Sequence, residues 1–149
     1  GLQHRMEYID TKQGILFYND AIATIPEATM AAVEALGNVG TLILGGFDRG
    51  VDYSELAEFL HYAELDHIIV MGPAGERILE LIENYRDEIS AKIFQTDSLA
   101  AAVKYAQENT AQRKICLLSP AASSYDKFRN FAEKGDTFRK LVSEIQDED

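Results

Sequence analysis

The chain has 149 residues, 46% of them hydrophobic and 26% charged, which is enough apolar material for one soluble domain with a buried core. Its formal net charge of -11 argues against nucleic-acid and anionic-membrane partners, because both require basic patches. No apolar run is long enough to span a membrane, and the lone Cys116 leaves no disulfide framework. We therefore expect a cytoplasmic protein in which Cys116, inside an apolar run, belongs to the core.

Hydrophobic runs and their breakers predict alternating strands and helices. The predicted strands are Met6–Ile9 and Ile15–Tyr18, joined as a hairpin, then Thr41–Leu44, His67–Met71, Ala91–Phe94 and Lys114–Leu118. The predicted helices run from an N-cap at Thr24 to about Leu36, from Tyr53 through Leu60, from about Glu76 to Tyr85, from the Asp97-Ser98 cap through Ala106, and from Lys127 to about Ile145. Strands joined by such crossovers run parallel. The pattern thus predicts an α/β, doubly wound, Rossmann-like fold with a mostly parallel sheet, an N-terminal β-hairpin and helices on both faces.

In such a sheet, ligands bind at the carboxyl ends of the strands. The residues predicted there are Asp20 and Thr24, Gly45 to Arg49, Gly72 to Gly75, and Ser119 to Ser124. The glycine pair Gly45-Gly46 allows a close backbone approach or a positive φ. Arg49 is suited to a bidentate grip on a carboxylate, and an ion pair with Asp48 or Asp52 is an equally open interpretation.

The stretch from Ser119 to Phe131 reads as a strand end, a turn and the start of a helix. Pro120 must end the strand, and Ser123, Ser124 and Asp126 are residue types that cap helices. Hydroxyls and free backbone amides are thereby presented together, an arrangement that suits a small anion such as a carboxylate. A plain capped loop explains the same pattern and stays open at this point.

Several familiar sites are not supported. No segment matches G-x-G-x-x-G or G-x-x-x-x-G-K-[ST], so the chain offers no self-sufficient dinucleotide or P-loop site. Gly72 to Gly75 is better explained as a structural turn than as a phosphate cradle. His61 and His67 have no metal-ligand spacing with a cysteine or carboxylate cluster, so we expect surface histidines and no metal site.

Particular segments carry a resemblance to a known family. They are Gly1-Leu2-Gln3-His4-Arg5-Met6-Glu7, Tyr18-Asn19-Asp20 with Ala23-Thr24 and Glu27-Ala28-Thr29, Leu44-Gly45-Gly46, and Leu118-Ser119-Pro120-Ala121 with Asp126 to Gly135. In this order, over the whole chain, they resemble the C-terminal domain of the Mur ligases, and within that family the members that add glutamate. The last segment is the most specific.

The resemblance implies that residues 1–149 are the third domain, glutamate-binding and ATP-covering, of a three-domain cytoplasmic enzyme of peptidoglycan synthesis. In the family, ATP phosphorylates the carboxylate of the nucleotide-linked substrate, here UDP-N-acetylmuramoyl-L-alanine, and the amine of glutamate attacks the acyl phosphate. The N-terminal domain holds the UDP moiety. The central domain carries the P-loop and the Mg²⁺ ligands. This domain alone is expected to be inactive and to hold no catalytic residue.

The resemblance also assigns binding residues one by one. Arg5 and Asp20 match ATP-contacting positions, Asp20 at the ribose and Arg5 nearer the phosphates. Thr24 matches a position that binds the α-carboxylate of glutamate. Arg49 falls where many members carry lysine in the glutamate pocket, which preserves the positive charge.

The side-chain carboxylate of glutamate is implied to bind at Ser124 and the backbone of Phe131. Tyr125, which follows the pocket serine, is often leucine elsewhere in the family. Ile22 replaces a lysine that many members carry near the substrate, and this departure leaves D- and L-glutamate both open.

Two hypotheses of other classes are weighed beside the ligase. A stand-alone doubly wound module that binds an unrelated anion or a partner would use the same loops. A phosphate-accepting, receiver-like module is disfavoured, because the first strands lack a clustered acidic pocket.

Overall fold

The computed structural model describes residues 2–85, 87–125 and 127–147. In chain order the elements are β1 (Glu7–Lys12), β2 (Ile15–Asn19), α1 (Pro26–Leu36), β3 (Val39–Gly45), α2 (Ser54–Tyr62), β4 (His67–Met71), α3 (Gly72–Glu83), β5 (Lys92–Gln95), α4 (Leu99–Asn109), β6 (Ile115–Leu118) and α5 (Phe131–Ser143). Among these helices, none is long and apolar enough to cross a membrane.

The strands form one six-stranded sheet in the order β1-β2-β6-β3-β4-β5. β1 and β2 pair antiparallel as the predicted hairpin, and the remaining neighbours pair in parallel. One apolar layer packs α1, α2 and α3 against the sheet, and a second packs α4 and α5 against its other face. The predicted α/β, doubly wound fold is confirmed.

The central strands explain why the sheet is covered on both sides. Every residue of β3, β4 and β6 is buried, as expected for parallel strands that have helices on both faces. Cys116 is fully buried, and this burial raises the pKa of its thiol far above its ordinary value. The interpretation of Cys116 as a core residue is therefore confirmed.

The topology creates a crevice at the carboxyl ends of β3 and β6. From β3 the chain continues to β4 and β5 on one side, whereas β6 lies on the other side of β3. The loops that leave β3 and β6 therefore lead to helices on opposite faces of the sheet, which is the switch point where open α/β sheets bind ligands.

Three predicted helix starts are wrong. Thr24 is not the N-cap of α1; Ile25 occupies that position without a side-chain cap, and Pro26 opens the helix. α3 begins at Gly72 rather than Glu76, because a glycine and a proline fit a first turn, where amide groups lack intrahelical partners.

α5 begins at Phe131 rather than Lys127. Asn130 Oδ1 accepts a hydrogen bond from Glu133 N at 2.9 Å, so an asparagine makes the cap that had been expected from Ser123 or Ser124. The third cap candidate, Asp126, lies outside the described residues.

His67 is a further correction. It was expected at the surface, yet it is 9% exposed and its Nδ1 lies 2.9 Å from the hydroxyl of Tyr105. The first residue of a strand buried on both faces is covered by the flanking helix, which explains the difference.

Candidate functional site

The double glycine at the end of β3 brings two chain segments very close together. A Cβ on Gly45, which has a φ of 111°, would lie 2.1 Å from the carbonyl oxygen of Met71. A Cβ on Gly46 would lie 2.6 Å from the carbonyl oxygen of Ser123. The prediction that Gly45-Gly46 allows a close approach and positive φ is confirmed, because any side chain here would push apart the loops after β3, β4 and β6.

The loop after the double glycine is held by Arg77 of α3. Its Nε lies 2.9 Å from Asp48 Oδ2, its guanidinium also donates to the carbonyl of Val51, and it stacks 5.0 Å over the ring of Tyr53. Tyr53 in turn donates its hydroxyl to the carbonyl of Ala121 at 2.7 Å. These contacts fix the loop after β3 against the loop after β6.

Arg49 is left on the exposed side of this loop. Asp48 pairs with Arg77, and Asp52 accepts a hydrogen bond from Ser54 N, so neither carboxylate pairs with Arg49 and the ion-pair interpretation is wrong. Arg49 Nη2 instead donates to the carbonyl of Thr24 at 3.2 Å. The structure thus brings together Thr24 and Arg49, and in the described part of the chain the hydroxyl of Thr24 has no hydrogen-bond partner.

Asp20 is the centre of a buried polar cluster at the end of β2. The residue is 3% exposed, its Oδ1 accepts from Met6 N at 3.0 Å, and its Oδ2 accepts from Ser119 Oγ at 2.7 Å. Thr29 Oγ1 donates to the carbonyl of Ser119 at 3.1 Å. Burial raises the pKa of Asp20 above its ordinary value, and the bonds from Ser119 and Met6 and the charge of Arg5 oppose that rise. The cluster is satisfied by the protein itself.

The segment before β1 is anchored on this cluster. His4 and Met6 have positive φ angles of 65° and 41°, and His4 is buried, with Nδ1 2.8 Å from Asn19 Nδ2. Arg5 between them is exposed. The anchored neighbours therefore place an exposed guanidinium beside Asp20.

A small pocket of about 80 Å³ opens beside the double glycine. It lies between the loops after β3 and β6 and the first turns of α3 and α4. Its lining is Gly46, Phe47, Met71, Gly72, Pro73, Asp97, Leu99, Ser124, Tyr125, Lys127, Phe128 and Lys134. Ser124 is 5% exposed, and its hydroxyl oxygen is buried without a hydrogen-bond partner among the described residues.

Lys134 brings a buried cation to the same pocket. It is 3% exposed, and its ammonium donates to the carbonyl oxygen of Gly45 at 3.0 Å. Burial lowers the pKa of Lys134 from 10.5 to about 8. Within the described part of the chain, its only partner is this neutral carbonyl, which is an unusual and costly arrangement for a buried ammonium.

The remaining predicted residues lie at the margin. Tyr125 is 65% exposed and makes an edge contact with Phe47 at 6.3 Å between ring centroids, on the rim of the pocket. Phe131 opens α5 and meets the ring of His4 edge-on at 6.0 Å. The pocket therefore contains Ser124 and Tyr125, whereas Phe131, Thr24, Arg49, Asp20 and Arg5 lie outside its lining.

Sequence reasoning missed Lys134 and the roles of Arg77 and Ser119. The sequence could have indicated Lys134, because this residue lies one helical turn before Phe138 on the apolar face of α5. A lysine on that stripe must be buried or must point its ammonium to a polar site at the helix end. Arg77 and Ser119 carried no comparable signal.

Chemically, this sheet edge combines hydrogen-bond donors that lack acceptors with one buried and several exposed cations. Such an edge is suited to hold carboxylates, and its described residues include no paired acid and base that would do chemistry alone. No group of three or more His, Cys, Asp or Glu that could hold a metal ion occurs in the described ranges.

Comparisons with known proteins show the family to which the chain belongs. The family model described as "Mur ligase, glutamate ligase domain" matches residues 4–122. The chain is 35% identical over 146 residues to the UDP-N-acetylmuramoylalanine–D-glutamate ligase of Thermoanaerobacter sp. (strain X514), with 98% of this chain and 32% of that protein covered. It is 36% identical over 148 residues to the ligase of the same name from Caldanaerobacter subterraneus subsp. tengcongensis, again covering 98% of this chain and 32% of the relative. The chain thus spans about a third of the length of these relatives.

Solved structures support the fold. The MurF ligase of Thermotoga maritima, solved in complex with ADP, superposes with a TM-score of 0.63 at 20% identity, covering 98% of this chain and 33% of that one. At that identity the likeness concerns the fold alone.

Proposed function

Because the chain belongs to the family of Mur ligase glutamate ligase domains, we propose that it is the C-terminal domain of a three-domain, ATP-dependent ligase that joins D-glutamate to UDP-N-acetylmuramoyl-L-alanine. The choice of D-glutamate is supported by the names of the relatives. The observation in this structure that carries the proposal is the buried Ser124 hydroxyl without a partner, beside a buried lysine, at the switch point of the sheet.

Glutamate is proposed to lie along the edge from Arg49 to Ser124. Thr24 and Arg49, which are in contact, would hold the α-carboxylate through a hydroxyl and a guanidinium. Ser124 would donate its free hydroxyl to the side-chain carboxylate in the small pocket, with Tyr125 on the rim and the backbone at Phe131 farther along the same loop. The distance between the two carboxylates then discriminates glutamate from shorter and longer amino acids.

ATP is proposed to contact the segment before β1. The exposed guanidinium of Arg5 suits phosphate oxygens. Asp20 fits a ribose less well, because it is almost fully buried and each of its oxygens already accepts a bond. We therefore propose that Asp20 acts on the nucleotide chiefly by holding Met6, and with it Arg5, in place. Mg²⁺ does not fit the described residues of this chain, and its ligands are assigned to the proposed central domain.

In the proposed mechanism, the role of this domain is to position glutamate. ATP supplies the phosphoryl group that activates the carboxylate of the nucleotide-linked substrate. This chain would fix the two carboxylates of glutamate and exclude water, so that the free amine faces the activated carbonyl carbon. Holding two reactants in that geometry can contribute several kcal/mol of a barrier, about 7–11 kcal/mol in the best intramolecular cases.

Two further expectations belong to this proposal. The whole enzyme is expected in the cytoplasm, where nucleotide-linked precursors and ATP meet. The isolated domain is expected to be inactive, because it would offer half of each site. The stand-alone anion-binding module is not favoured, since family and relatives place the same loops in a ligase domain.

A ligation assay on the full-length protein tests the proposal. ATP, UDP-N-acetylmuramoyl-L-alanine and either D- or L-glutamate are supplied, and phosphate release and amide product are measured. We expect product with D-glutamate and at least about tenfold less with L-glutamate, since misplacing one carboxylate costs more than a kcal/mol. A folded protein that forms no product with either isomer would contradict the ligase assignment.

A further inference from the structure

Lys134 is the buried charge for which the fold offers no structural explanation. It is the fourth residue of α5, and its side chain reaches the end of β3, where the ammonium donates to the carbonyl of Gly45. A helix side chain that only packed here could be methionine or leucine without the cost of burying a charge. An ammonium has three donors, and only one of them is used within the described residues.

The surroundings do not neutralise this ammonium. The other titratable groups that line the pocket are Asp97, Lys127 and Tyr125, and all three are exposed. Asp97 Oδ1 accepts from Gly72 N at 3.3 Å, and no carboxylate of the described residues lies within ion-pair distance of Lys134. The first turn of α3 adds further positive potential to the pocket.

Ser124 gives the second, independent indication. Its hydroxyl oxygen is buried without a hydrogen-bond partner in residues 2–85, 87–125 and 127–147, and Ser124 lines the same pocket as Lys134. Ser124 and Lys134 thus supply buried donors with unused hydrogen-bonding capacity among the described residues, and the space of about 80 Å³ beside them suits one carboxylate group.

We propose that Lys134 is the cation that pairs with the side-chain carboxylate of glutamate, beside the hydroxyl of Ser124, and that it makes the pocket reject a neutral amide in that position. This inference rests on the proposed function and adds to it the residue that sets acidic over amide specificity. Burial lowers the pKa of Lys134 to about 8, so the ammonium is largely protonated at neutral pH, and an adjacent carboxylate would stabilise the proton further.

The test compares D-glutamate with D-glutamine, whose side chain has the same shape without the charge. For the full-length ligase with ATP and the nucleotide precursor, kcat/KM is measured for both amino acids in the wild type, Lys134→Met, Lys134→Arg and Lys140→Met. Lys140 is an exposed lysine of the same helix and serves as the matched control. Melting temperatures of all four proteins are recorded beside the kinetics.

We expect Lys134→Met to raise the KM for D-glutamate by about 10- to 100-fold and to lower the glutamate-to-glutamine preference by at least about tenfold, as for loss of a charged hydrogen bond. The KM for ATP should change by less than about twofold, Lys134→Arg should restore part of the preference, and Lys140→Met should match the wild type. A Lys134→Met enzyme that folds and keeps the wild-type preference would overturn the proposal and leave Lys134 as a strut for the Gly45 carbonyl.

A second measurement covers the case in which Lys134→Met does not fold. In the wild type, the glutamate-to-glutamine ratio of kcat/KM is followed from pH 7 to 9, since kcat/KM reports ionisations of the free enzyme. The ratio should fall as Lys134 loses its proton at about pH 8. A flat ratio contradicts the proposal. If the wild type ligates neither isomer of glutamate, the proposed function itself has failed.

Discussion

Two buried polar centres lie at the same edge of the sheet, and they are built in opposite ways. In the centre around Asp20, both carboxylate oxygens accept bonds, from Met6 N and Ser119 Oγ. In the pocket around Lys134, among the described residues, the ammonium has one neutral acceptor and the hydroxyl of Ser124 has none. Both Asp20 oxygens of the first centre are hydrogen-bonded in the folded chain. In the second centre, donors of Ser124 and Lys134 remain unused among the described residues.

This difference distinguishes a polar cluster that stabilises the fold from one that is suited to bind a ligand. Buried polar groups in folded proteins are normally paired, so a satisfied cluster needs no further ligand, and an unsatisfied one requires an explanation. The Asp20 centre ties the segment before β1 to the end of β6 and is expected to stabilise the fold. The buried ammonium of Lys134 is expected to lower the stability of the fold, and a bound carboxylate would restore that stability.

Removal of the Asp20 side chain should have the largest effect on stability. Asp20→Ala leaves Met6 N without its acceptor and removes the carboxylate acceptor of Ser119 Oγ, which keeps Thr29 Oγ1 at 3.0 Å, and we expect the free energy of unfolding to fall by about 3 kcal/mol. Asp20→Asn is the matched control, because it keeps one acceptor oxygen and removes the buried charge; its cost should stay below about 1 kcal/mol. Denaturant unfolding of this chain measures both. Equal losses for the two variants would contradict the structural role.

Replacement of Lys134 by a neutral residue should raise the stability of the fold, whereas removal of the Asp20 side chain lowers it. Its pKa is lowered from 10.5 to about 8, so the unfolded chain binds the proton more tightly and stability rises with pH between these values. At pH 7 the protonated group destabilises the fold, and Lys134→Met should raise the free energy of unfolding by about 1–3 kcal/mol.

The pH dependence provides the control for that prediction. The stability advantage of Lys134→Met over the wild type should shrink as the pH rises from about 8 toward 9.5, because the wild-type lysine becomes neutral. Urea unfolding at several pH values measures the difference between the two proteins. A Lys134→Met variant that is less stable than the wild type at pH 7 would show that the ammonium stabilises the fold.

The contrast between these centres also marks what the sequence could predict. Alternating apolar runs and helical segments predicted the doubly wound sheet, because burial on both faces leaves a strong pattern in β3, β4 and β6. The Gly45-Gly46 turn was predicted for its physical reason, a close approach that excludes a Cβ. Both features depend on local sequence alone.

The predictions were wrong where contacts between residues distant in sequence determine the local structure. Thr24 was predicted as the N-cap of α1, yet Ile25 takes that position before Pro26, and the carbonyl of Thr24 accepts a hydrogen bond from Arg49. The helix after Ser124 starts later than its residue types indicated, because Asn130 makes the cap. Partners distant in sequence, such as Arg77 for Asp48 and Ser119 for Asp20, cannot be read from spacing.

Ser124 offers a sharper comparison with its neighbour. Ser123 Oγ accepts from Tyr125 N at 3.3 Å, whereas Ser124 Oγ is buried and finds no partner in the part of the chain that the structure describes. We expect Ser124→Ala to leave stability unchanged or to raise it by up to about 1 kcal/mol, and Ser123→Ala to lower it by about as much. In the full-length ligase, Ser124→Ala alone should raise the KM for D-glutamate, by about tenfold. A loss of stability in Ser124→Ala with no change in that KM would show that Ser124 stabilises the fold, as the cluster around Asp20 does, and does not bind glutamate.

The smallest effect on stability is expected for Arg49, which is exposed and makes one bond, to the carbonyl of Thr24 at 3.2 Å. Arg49→Ala should change the free energy of unfolding by less than about 0.5 kcal/mol, because surface substitutions of this kind rarely cost more. In the full-length ligase it should raise the KM for D-glutamate by about tenfold and the KM for ATP by less than about twofold, since a charged contact to one carboxylate is lost. Arg49→Lys keeps the charge and should retain most of the affinity, and Lys104→Ala, at an exposed position of α4, should match the wild type. Equal increases in both KM values would instead assign Arg49 to closure of the whole domain, because a residue that holds one carboxylate acts on glutamate alone.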